Sequence, residues 1–337
     1  FRPQPIRRVW IPKPGSTEQR PLGIPTVRDR VVQAALRMVL EPIFERDFAE
    51  HSYGFRPNRG CKDALRRVDD LLKQGATWIV DADLKSYFDT IPQDRLKQRV
   101  EEKVSDGRVI GLVEQYLQQQ VMDSGKSWTP EAGTPQGAVL SPLLSNIYLD
   151  PLDQAMAAAG IEMVRYADDF VILSRSQREA EYALEQVRQW TVQAGLALHP
   201  VKTRIVDATQ PGGFDFLGYH FERGKKWPRE KSLRKFRDTI RAKTRRTNGQ
   251  SLKVTIQDLN RTVQGWFGYF KHSQPTTFRT EDGWVRGRLR SILRKRSGRQ
   301  GRGRGWDHQR WPNAFFAKQG LFSLKHAHAM ACQSLTR

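Results

Sequence analysis

The chain has 337 residues and carries 57 Lys and Arg against 36 Asp and Glu, a formal net charge of +21. Its length permits two or three domains with sizeable cores, and because it shows no long apolar span or signal peptide, we expect no membrane partner. The two cysteines, Cys61 and Cys332, lie far apart and form neither a zinc motif nor a disulfide framework, which predicts a reducing, cytoplasmic environment.

Apolar periodicity and turn residues predict the elements of the first two thirds of the chain. Extended segments are expected at residues 6–11 and near residue 22. Helices are predicted over residues 28–48, 63–72, 93–103, 109–120, 137–159 and 177–194. The first of these helices has apolar residues at helical spacing, namely Val31, Ala35, Val39 and Ile43. The short apolar runs 161–164 and 170–173 flank a polar reversal, which is typical of a β-hairpin.

Two adjacent carboxylates, Asp168 and Asp169, lie in that polar reversal. Neighbouring acids repel each other and gain nothing from burial, so they need a compensating positive charge. Carboxylate oxygens are hard ligands, which favours Mg²⁺ in this role. A solvated turn is the alternative, and a pair of acids alone does not decide between the two.

A third acid in a similar setting favours the metal site. A strand beginning at Trp78 continues into Asp81 and Asp83, and strand alternation places both acids on one face. An acid at the end of this strand can meet the hairpin acids across a sheet and hold two Mg²⁺ with them, as phosphoryl transfer by a polymerase requires. We expect Asp81 to be a local hydrogen-bonded or solvent-facing acid, and Asp89 to be a turn or helix-start acid.

Four strings occur in the order seen in polymerases. They are DLKSYFD at residues 83–89, GTPQG at 133–137 with LSPL at 140–143, YADD at 166–169, and FLGY at 216–219. Together they resemble the palm of reverse transcriptases, and most of all the reverse transcriptase/maturase proteins encoded by bacterial group II introns. The resemblance extends from Phe1 to Ser334. It implies an α+β fold that begins with the fingers and palm of a right-hand polymerase, over residues 1–225. In the palm, helices would pack on one face of an antiparallel sheet. An all-α basic thumb/maturase domain, residues 226–337, follows.

The resemblance also implies roles for single residues around the acids. Asp83, Asp168 and Asp169 would be the catalytic acids and metal ligands, with the carbonyl of Leu84 as a further ligand. Phe88 would clash with a 2′-hydroxyl and so favour deoxynucleotides. Gln136 would contact the sugar of the incoming nucleotide, and Lys202 would stabilise the phosphate or the acids. The primer grip, a turn that holds the growing 3′ end, would consist of Phe216, Leu217, Gly218 and Tyr219. From the residues alone, Phe88 could equally be a core aromatic, Gln136 a turn residue and the string at 216–219 a buried hairpin.

Lys13 and Arg20 flank a tight loop, residues 14–17, in an extended basic segment. Two cations on facing strands can grip a triphosphate, and Arg can do so bidentately. The resemblance to reverse transcriptase fingers favours this role over a solvated hairpin.

The whole net charge lies in the last third of the chain. Residues 226–337 contain 27 Lys and Arg against 6 Asp and Glu, whereas residues 1–225 are neutral. Aromatic residues interleave with these cations, a mixture typical of base stacking and phosphate contact. Basic helices are predicted over residues 231–246, 255–270 and 283–295, and a basic loop over residues 294–304. By resemblance this region binds the parent intron RNA, with contacts expected at Arg241, Arg245, Trp266, Arg286 and Arg290. The alternatives are a clamp on the template–primer duplex or a solvated basic face.

The sequence therefore predicts an RNA-directed DNA polymerase that uses two Mg²⁺, dNTPs, an RNA template and a DNA primer, and that binds group II intron RNA to assist splicing and mobility. A domesticated reverse transcriptase in defence or repair is one alternative. A non-polymerising RNA-binding splicing factor is another, and the three acids argue against it. Because the chain opens at Phe1 without the residues that precede the fingers in the family, we expect a fragment or truncated product. No Cys-rich His-Asn endonuclease module follows, and nothing indicates an oligomeric state.

Overall fold

A computed structural model describes residues 1–12, 19–247, 249–303 and 305–333. The chain divides into two compact units, Phe1–Leu217 and Gly218–Arg337. The strands of the first unit are β1 (Ile6–Pro12), β2 (Gln19–Ile24), β3 (Trp78–Asp83), β4 (Val121–Asp123), β5 (Lys126–Trp128), β6 (Glu162–Tyr166), β7 (Asp169–Ser174), β8 (Arg204–Asp207) and β9 (Phe214–Phe216). Its helices are α1 (Val27–Glu45), α2 (Cys61–Lys73), α3 (Tyr87–Thr90), α4 (Gln93–Glu101), α5 (Gly107–Leu117), α6 (Ser141–Ala158) and α7 (Gln177–Gln193).

A four-stranded antiparallel sheet in the order β6-β7-β3-β8 forms the palm, as predicted. Met163 pairs with Ile172 on one face of this sheet, and both join the main core together with residues of α6 and α7. The next pair along, Val164 and Val171, is also buried and points to the other face, where α2 packs against β6 and β7. Helices therefore cover both faces over part of the sheet, whereas the sequence predicted helices on one face. The reason is that β7 is buried along almost its whole length, as in strands covered on both sides.

A second four-stranded sheet, in the order β2-β1-β4-β5, forms the fingers side of this unit. β1 and β2 form an antiparallel pair in which Ile11 lies opposite Arg20. β1 pairs with β4 in parallel through Ile6, whose side chain is fully buried. This sheet thus places Arg8 and Trp10 of β1 on the same face as Ile6.

Helix α1 buries the face that carries Leu36, Leu40 and Phe44, together with the polar residues Asp29 and Gln33. Val31 and Val39, although they stand at helical spacing, are 64% and 58% exposed. Gln33 accepts a hydrogen bond from the backbone N–H of Val139 at 2.8 Å, so this helix uses a buried amide to hold the loop before α6.

The second unit opens with a hairpin of β10 (Tyr219–Glu222) and β11 (Lys225–Pro228). Its helices are α8 (Glu230–Lys243), α9 (Leu252–Phe270), α10 (Pro275–Arg296), α11 (Trp306–Arg310), α12 (Asn313–Lys318) and α13 (Leu324–Gln333). The Tyr219 ring packs on Phe270 with centroids 5.0 Å apart, and its hydroxyl donates to the carbonyl of Tyr269 at 2.7 Å. These contacts attach the hairpin to the helices, so the compact unit that begins at Gly218 contains two strands ahead of its helices.

The three basic helices predicted in this unit are present, and the third begins earlier than expected, at Pro275. Their apolar sides form one core that includes Phe236, Leu259 and Phe278. None of the helices in the part of the chain that the structure describes is long and apolar enough to cross a membrane.

Candidate active site

The turn between β6 and β7 presents two of the three acids. Tyr166 pairs with Asp169, which leaves Ala167 and Asp168 as a two-residue loop. Ala167 has a φ of 60°, in the left-handed region that tight hairpin loops require. Asp169 is exposed and Asp168 is half-buried. The buried strands on either side therefore hold both carboxylates at the tip of a rigid hairpin.

Asp83 ends β3 and lies directly opposite Asp169 in the antiparallel register. Burial raises the pKa of Asp168, and the negative charge of Asp83 raises it further, while the guanidinium groups of Arg20 and Arg165 oppose this change. The structure thus brings Asp83 opposite Asp169 and within electrostatic reach of Asp168. The nearby positive charges therefore do not fully offset the effects that disfavour the ionised form of Asp168.

Lys202 supplies a positive charge to one of these acids. Its ammonium donates to Asp83 Oδ2 at 2.6 Å. The loop that carries it is held against the end of β3, because His199 N–H donates to the carbonyl of Asp83 at 2.7 Å and Lys85 N–H donates to that of Ala197 at 2.8 Å. Lys202 therefore lies beside the acids, as the resemblance implied.

The donor set fits a hard divalent cation. The acids offer only carboxylate oxygens, and the raised pKa of Asp168 marks a place where added positive charge would be favourable. A leucine side chain has no donor atom, so only the backbone carbonyl of Leu84, a buried residue, could serve as a ligand. Among the described residues, however, no three His, Cys, Asp or Glu side chains are already grouped as a metal site. The Asp83 carboxylate is paired with the Lys202 ammonium group in this structure.

Two other acids lie near the strand end, as expected, in local settings. Asp81 accepts a hydrogen bond from Arg204 Nε at 3.3 Å. Burial raises the pKa of Asp89, which lies on short helix α3.

A cavity of about 700 Å³ holds the two residues assigned to the nucleotide sugar, Phe88 and Gln136. The Phe88 carbonyl accepts from Thr134 N–H at 2.7 Å, and the Gln136 carbonyl accepts from Gly23 N–H at 2.6 Å. Gly137 has a φ of 99°, and a Cβ there would lie 2.7 Å from the carbonyl oxygen of Gly23. This close approach, which only glycine allows, fixes the turn that carries Gln136.

The opposite wall of the cavity comes from the fingers sheet. The Arg8 guanidinium lies 4.7 Å from the ring centre of Trp128 and 5.7 Å from that of Trp10. Arg20 is exposed on β2, and its charge acts on Asp168. Lys13, its proposed partner at the triphosphate, lies outside the described residues.

The string assigned to the primer grip turns sharply. Leu217 has a φ of 46° and Gly218 a φ of 86°. Phe216 is fully buried in the first unit, and Tyr219 is 1% exposed in the second. The two aromatic residues therefore act in packing, which leaves Leu217 and Gly218 as the residues of this string that could contact a primer.

The proposed RNA contacts separate into surface and core residues. Arg241 and Arg245 are exposed, and Arg241 lies over Trp284 at 5.5 Å. Trp266 stacks on Phe236 with centroids 4.5 Å apart, so it packs in the core instead of offering a free face to a base. The Arg286 side chain is only 19% exposed and lies 3.6 Å from Asp282.

The structure does not support the RNA contact expected of Arg290. This residue is 3% exposed, and its guanidinium donates to the carbonyl of Trp311 at 3.0 Å and to Asn313 Oδ1 at 2.8 Å. It ties the C-terminal segment to α10. A basic amphipathic pattern does not distinguish such a buried arginine from a phosphate-binding one.

Two residues that contact the acid-bearing turn were not identified from the sequence. Arg165 is 1% exposed and donates to the carbonyl of Ala167 at 2.8 Å. A Cβ added to Gly54 would lie 2.1 Å from the backbone nitrogen of Ala167. Arg165 directly precedes the YADD string, which was the available signal. Gly54 is more than a hundred residues away, and no local pattern marks it.

Comparison with known proteins agrees with this geometry. Residues 11–221 match the family described as reverse transcriptase (RNA-dependent DNA polymerase), and residues 233–311 match the group II intron, maturase-specific domain. Protein YkfC of Escherichia coli (strain K12) is 34% identical over 262 residues, which cover 66% of this chain and 68% of YkfC. Group II intron-encoded protein LtrA of Lactococcus lactis subsp. cremoris is 41% identical over 154 residues, which cover 46% of this chain but only 26% of LtrA.

Among solved structures, telomerase from Candida albicans matches 86% of this chain and 60% of its own, with a TM-score of 0.55 at 13% identity. This likeness concerns the fold alone, and it confirms the predicted polymerase architecture. The chain is therefore a member of the reverse transcriptase family that carries a group II intron maturase-specific domain.

Proposed function

We propose that this protein synthesises DNA on an RNA template and that its last third binds the RNA of a group II intron. The observation that supports synthesis most strongly is the register of the palm sheet, which sets Asp83 opposite Asp169 with Asp168 at the hairpin tip. Acids from two different strands meet here at one end of a buried sheet, as a two-cation nucleotidyl transfer site needs.

Two Mg²⁺ would be held by Asp83, Asp168, Asp169 and the carbonyl of Leu84. When bound, they would stabilise the charge on the attacking and leaving oxygens of the phosphoryl transfer. The other residues of the site act on the nucleotide. Lys202 and Arg20 provide positive charge near the acids and can neutralise the phosphates.

Selection of the sugar is assigned to the cavity. Phe88 narrows it on the palm side, and Gln136 lies on a turn fixed by glycine at residue 137. Because both carbonyls are already hydrogen-bonded to neighbouring backbone, the two residues are held in place before a nucleotide arrives. A preorganised aromatic wall can discriminate against the extra 2′-hydroxyl by contact.

Binding of intron RNA is assigned to the exposed cations of the second unit. Among the RNA contacts expected from the sequence, Arg241 and Arg245 are exposed at the surface. The matching maturase-specific domain favours an intron RNA partner over a role in defence or repair. This chain covers about two thirds of YkfC and about a quarter of LtrA, so assistance to splicing and mobility by the whole protein is also part of the proposal.

Extension of a DNA primer on an RNA template, with dNTPs and Mg²⁺, tests the proposal. We expect synthesis by the unaltered chain and none by Asp168→Asn, with template–primer affinity unchanged within about twofold, because Asp168 carries chemistry and not binding. Asp70→Asn is the matched control, since Asp70 is an exposed surface acid that lies 3.6 Å from the Lys73 ammonium. Synthesis by Asp168→Asn would refute the assignment.

A further inference from the structure

A buried ion pair lies beneath the turn that carries Asp168. Arg165 Nε donates to Asp153 Oδ1 at 2.8 Å and to Oδ2 at 3.0 Å, and a second guanidinium nitrogen also bonds to Oδ2. The Asp153 side chain, on α6, is 4% exposed, and that of Arg165 is 1% exposed. Both charges are thus removed from water and depend on each other.

The remaining nitrogen of this guanidinium reaches the turn itself. Arg165 Nη1 donates to the carbonyl of Ala167 at 2.8 Å and to Asn146 Oδ1 at 3.0 Å. Ala167 has a positive φ, which is unfavourable for a residue with a Cβ, so its conformation depends on surrounding contacts. The guanidinium therefore fixes the peptide unit that joins Ala167 to Asp168.

A segment of backbone holds the same turn from another side. Tyr53 N–H donates to the Arg165 carbonyl at 2.9 Å, and Arg165 N–H donates to the His51 carbonyl at 3.0 Å. Asn146 Nδ2 donates to the carbonyl of Gly54 at 2.8 Å. Asn146 thus links the guanidinium to this segment.

Stability alone is a weak reason for such a group. A buried ion pair is often no more stabilising than apolar residues of the same volume, because both charges lose their hydration. What a planar guanidinium adds is direction, since its fixed donors can bind a carboxylate, an amide and a carbonyl at once. A lysine ammonium in the same place could keep the charge but could not hold all three acceptors.

We propose that Arg165 is a positioning residue for DNA synthesis: its guanidinium fixes the carbonyl of Ala167 and thereby directs Asp168 toward Asp83. This inference rests on the proposed polymerase function. It assigns a role to a charge that contacts neither substrate nor metal ligand side chain directly.

The test compares Arg165→Lys with Arg237→Lys. Arg237 lies in the second unit, where its guanidinium donates to both carboxylate oxygens of Glu281, a side chain that is 2% exposed. Both variants lose a guanidinium that is paired with a buried carboxylate, so both should lose thermal stability. Arg165→Lys should lower kcat about 30-fold or more with the KM for dNTP nearly unchanged, because misplacement of a reacting group acts on the transition state.

Hydrogen exchange gives a readout that does not depend on activity. Amides of residues 163–170 should exchange faster in Arg165→Lys and not in Arg237→Lys. Equal losses of kcat in the two variants, or unchanged exchange at the turn, would overturn the inference.

A second variant decides the matter should Arg165→Lys fail to fold. Asn146→Ala leaves the Arg165–Asp153 pair intact and removes one contact that orients it, so about a fivefold fall in kcat with faster exchange at the turn is expected. Full activity with unchanged exchange would contradict the proposal. If the unaltered chain did not extend primers, the polymerase function would be refuted. The hydrogen-exchange comparison would still test whether Arg165 holds the turn.

Discussion

Gly54→Ala should slow DNA synthesis more than a glycine-to-alanine change at any other glycine of the palm. A Cβ at this position would lie 2.1 Å from the Ala167 nitrogen, 2.8 Å from the Tyr166 carbonyl carbon and 2.9 Å from the Ala167 Cα. All three are backbone atoms of the acid-bearing turn, so no flexible side chain can move aside. Gly54 does not have a positive φ, so the substitution adds a steric effect and no backbone strain of its own.

The size of the effect follows from these distances. Relief of the closest contact to an ordinary van der Waals separation requires the segment or the turn to move by about 1 Å, and a displacement of that size at a reacting group costs about 10²-fold in rate. Overpacking of this kind also costs about 1–3 kcal/mol of stability. We therefore expect a kcat near one hundredth of the unaltered value and a Tm lower by several degrees.

Single-nucleotide incorporation under template–primer saturation measures the rate, at a temperature well below both melting transitions. Gly111→Ala is the matched control, because Gly111 lies inside α5 and a Cβ there meets nothing within 4 Å. That change should keep full activity and raise stability by about 0.5–1 kcal/mol. A Gly54→Ala protein with normal kcat would show that the turn does not need its observed position.

Four further outcomes are expected. Burial and the charge of Asp83 raise the folded-state pKa of Asp168, so the stability that its protonated form contributes is complete at low pH and is lost as the pH rises through that pKa. Asp168→Asn should therefore raise Tm at pH 7 without divalent cations. In thermal melts this gain in Tm should shrink toward pH 3.8. Lys202→Met should slow turnover and should tighten Mn²⁺ binding, measured by calorimetry, by up to about fivefold, because an exposed ion pair with Asp83 is worth about 1 kcal/mol or less. An unchanged Mn²⁺ affinity would show that Lys202 does not compete with the metal ion for Asp83. Phe88→Ala should raise the ratio of rNTP to dNTP incorporation by about tenfold or more, and an unchanged ratio would remove Phe88 from sugar selection. Arg245→Glu should weaken binding of intron RNA and flatten its dependence on salt by about one counterion, whereas an equal slope would place Arg245 outside the interface.

Short-range pattern was enough to locate the palm acids. The alternation from Trp78 to Asp83 and the two apolar runs around the turn predict a strand and a hairpin and indicate which side chains share a face. The register that sets Asp83 opposite Asp169 joins strands that are far apart along the chain, so only the folded sheet gives it. Their assembly into a metal site is a prediction that the ion pair of Asp83 with Lys202 leaves open.

Burial of polar residues could not be predicted in the same way. Helix α1 buries Asp29 and Gln33 on the same face as Leu36, Leu40 and Phe44. Gln33 accepts a hydrogen bond there from a backbone N–H of a loop more than a hundred residues later. Arg290 likewise has a basic, surface-like sequence context and is nevertheless buried by bonds to Trp311 and Asn313. In each case the partner is distant along the chain, and only the folded structure brings the two together.

Asp83, Asp168 and Asp169 are proposed to hold the two divalent cations together. A crystal structure of the protein with template–primer, dNTP and Mn²⁺ in place of Mg²⁺ is the sharpest test, because anomalous scattering locates the ions. We expect Mn²⁺ bonded to oxygens of Asp83 and Asp168, with the Lys202 ammonium released from Asp83. Mn²⁺ bound elsewhere, with the 2.6 Å contact between Lys202 and Asp83 unchanged, would contradict it.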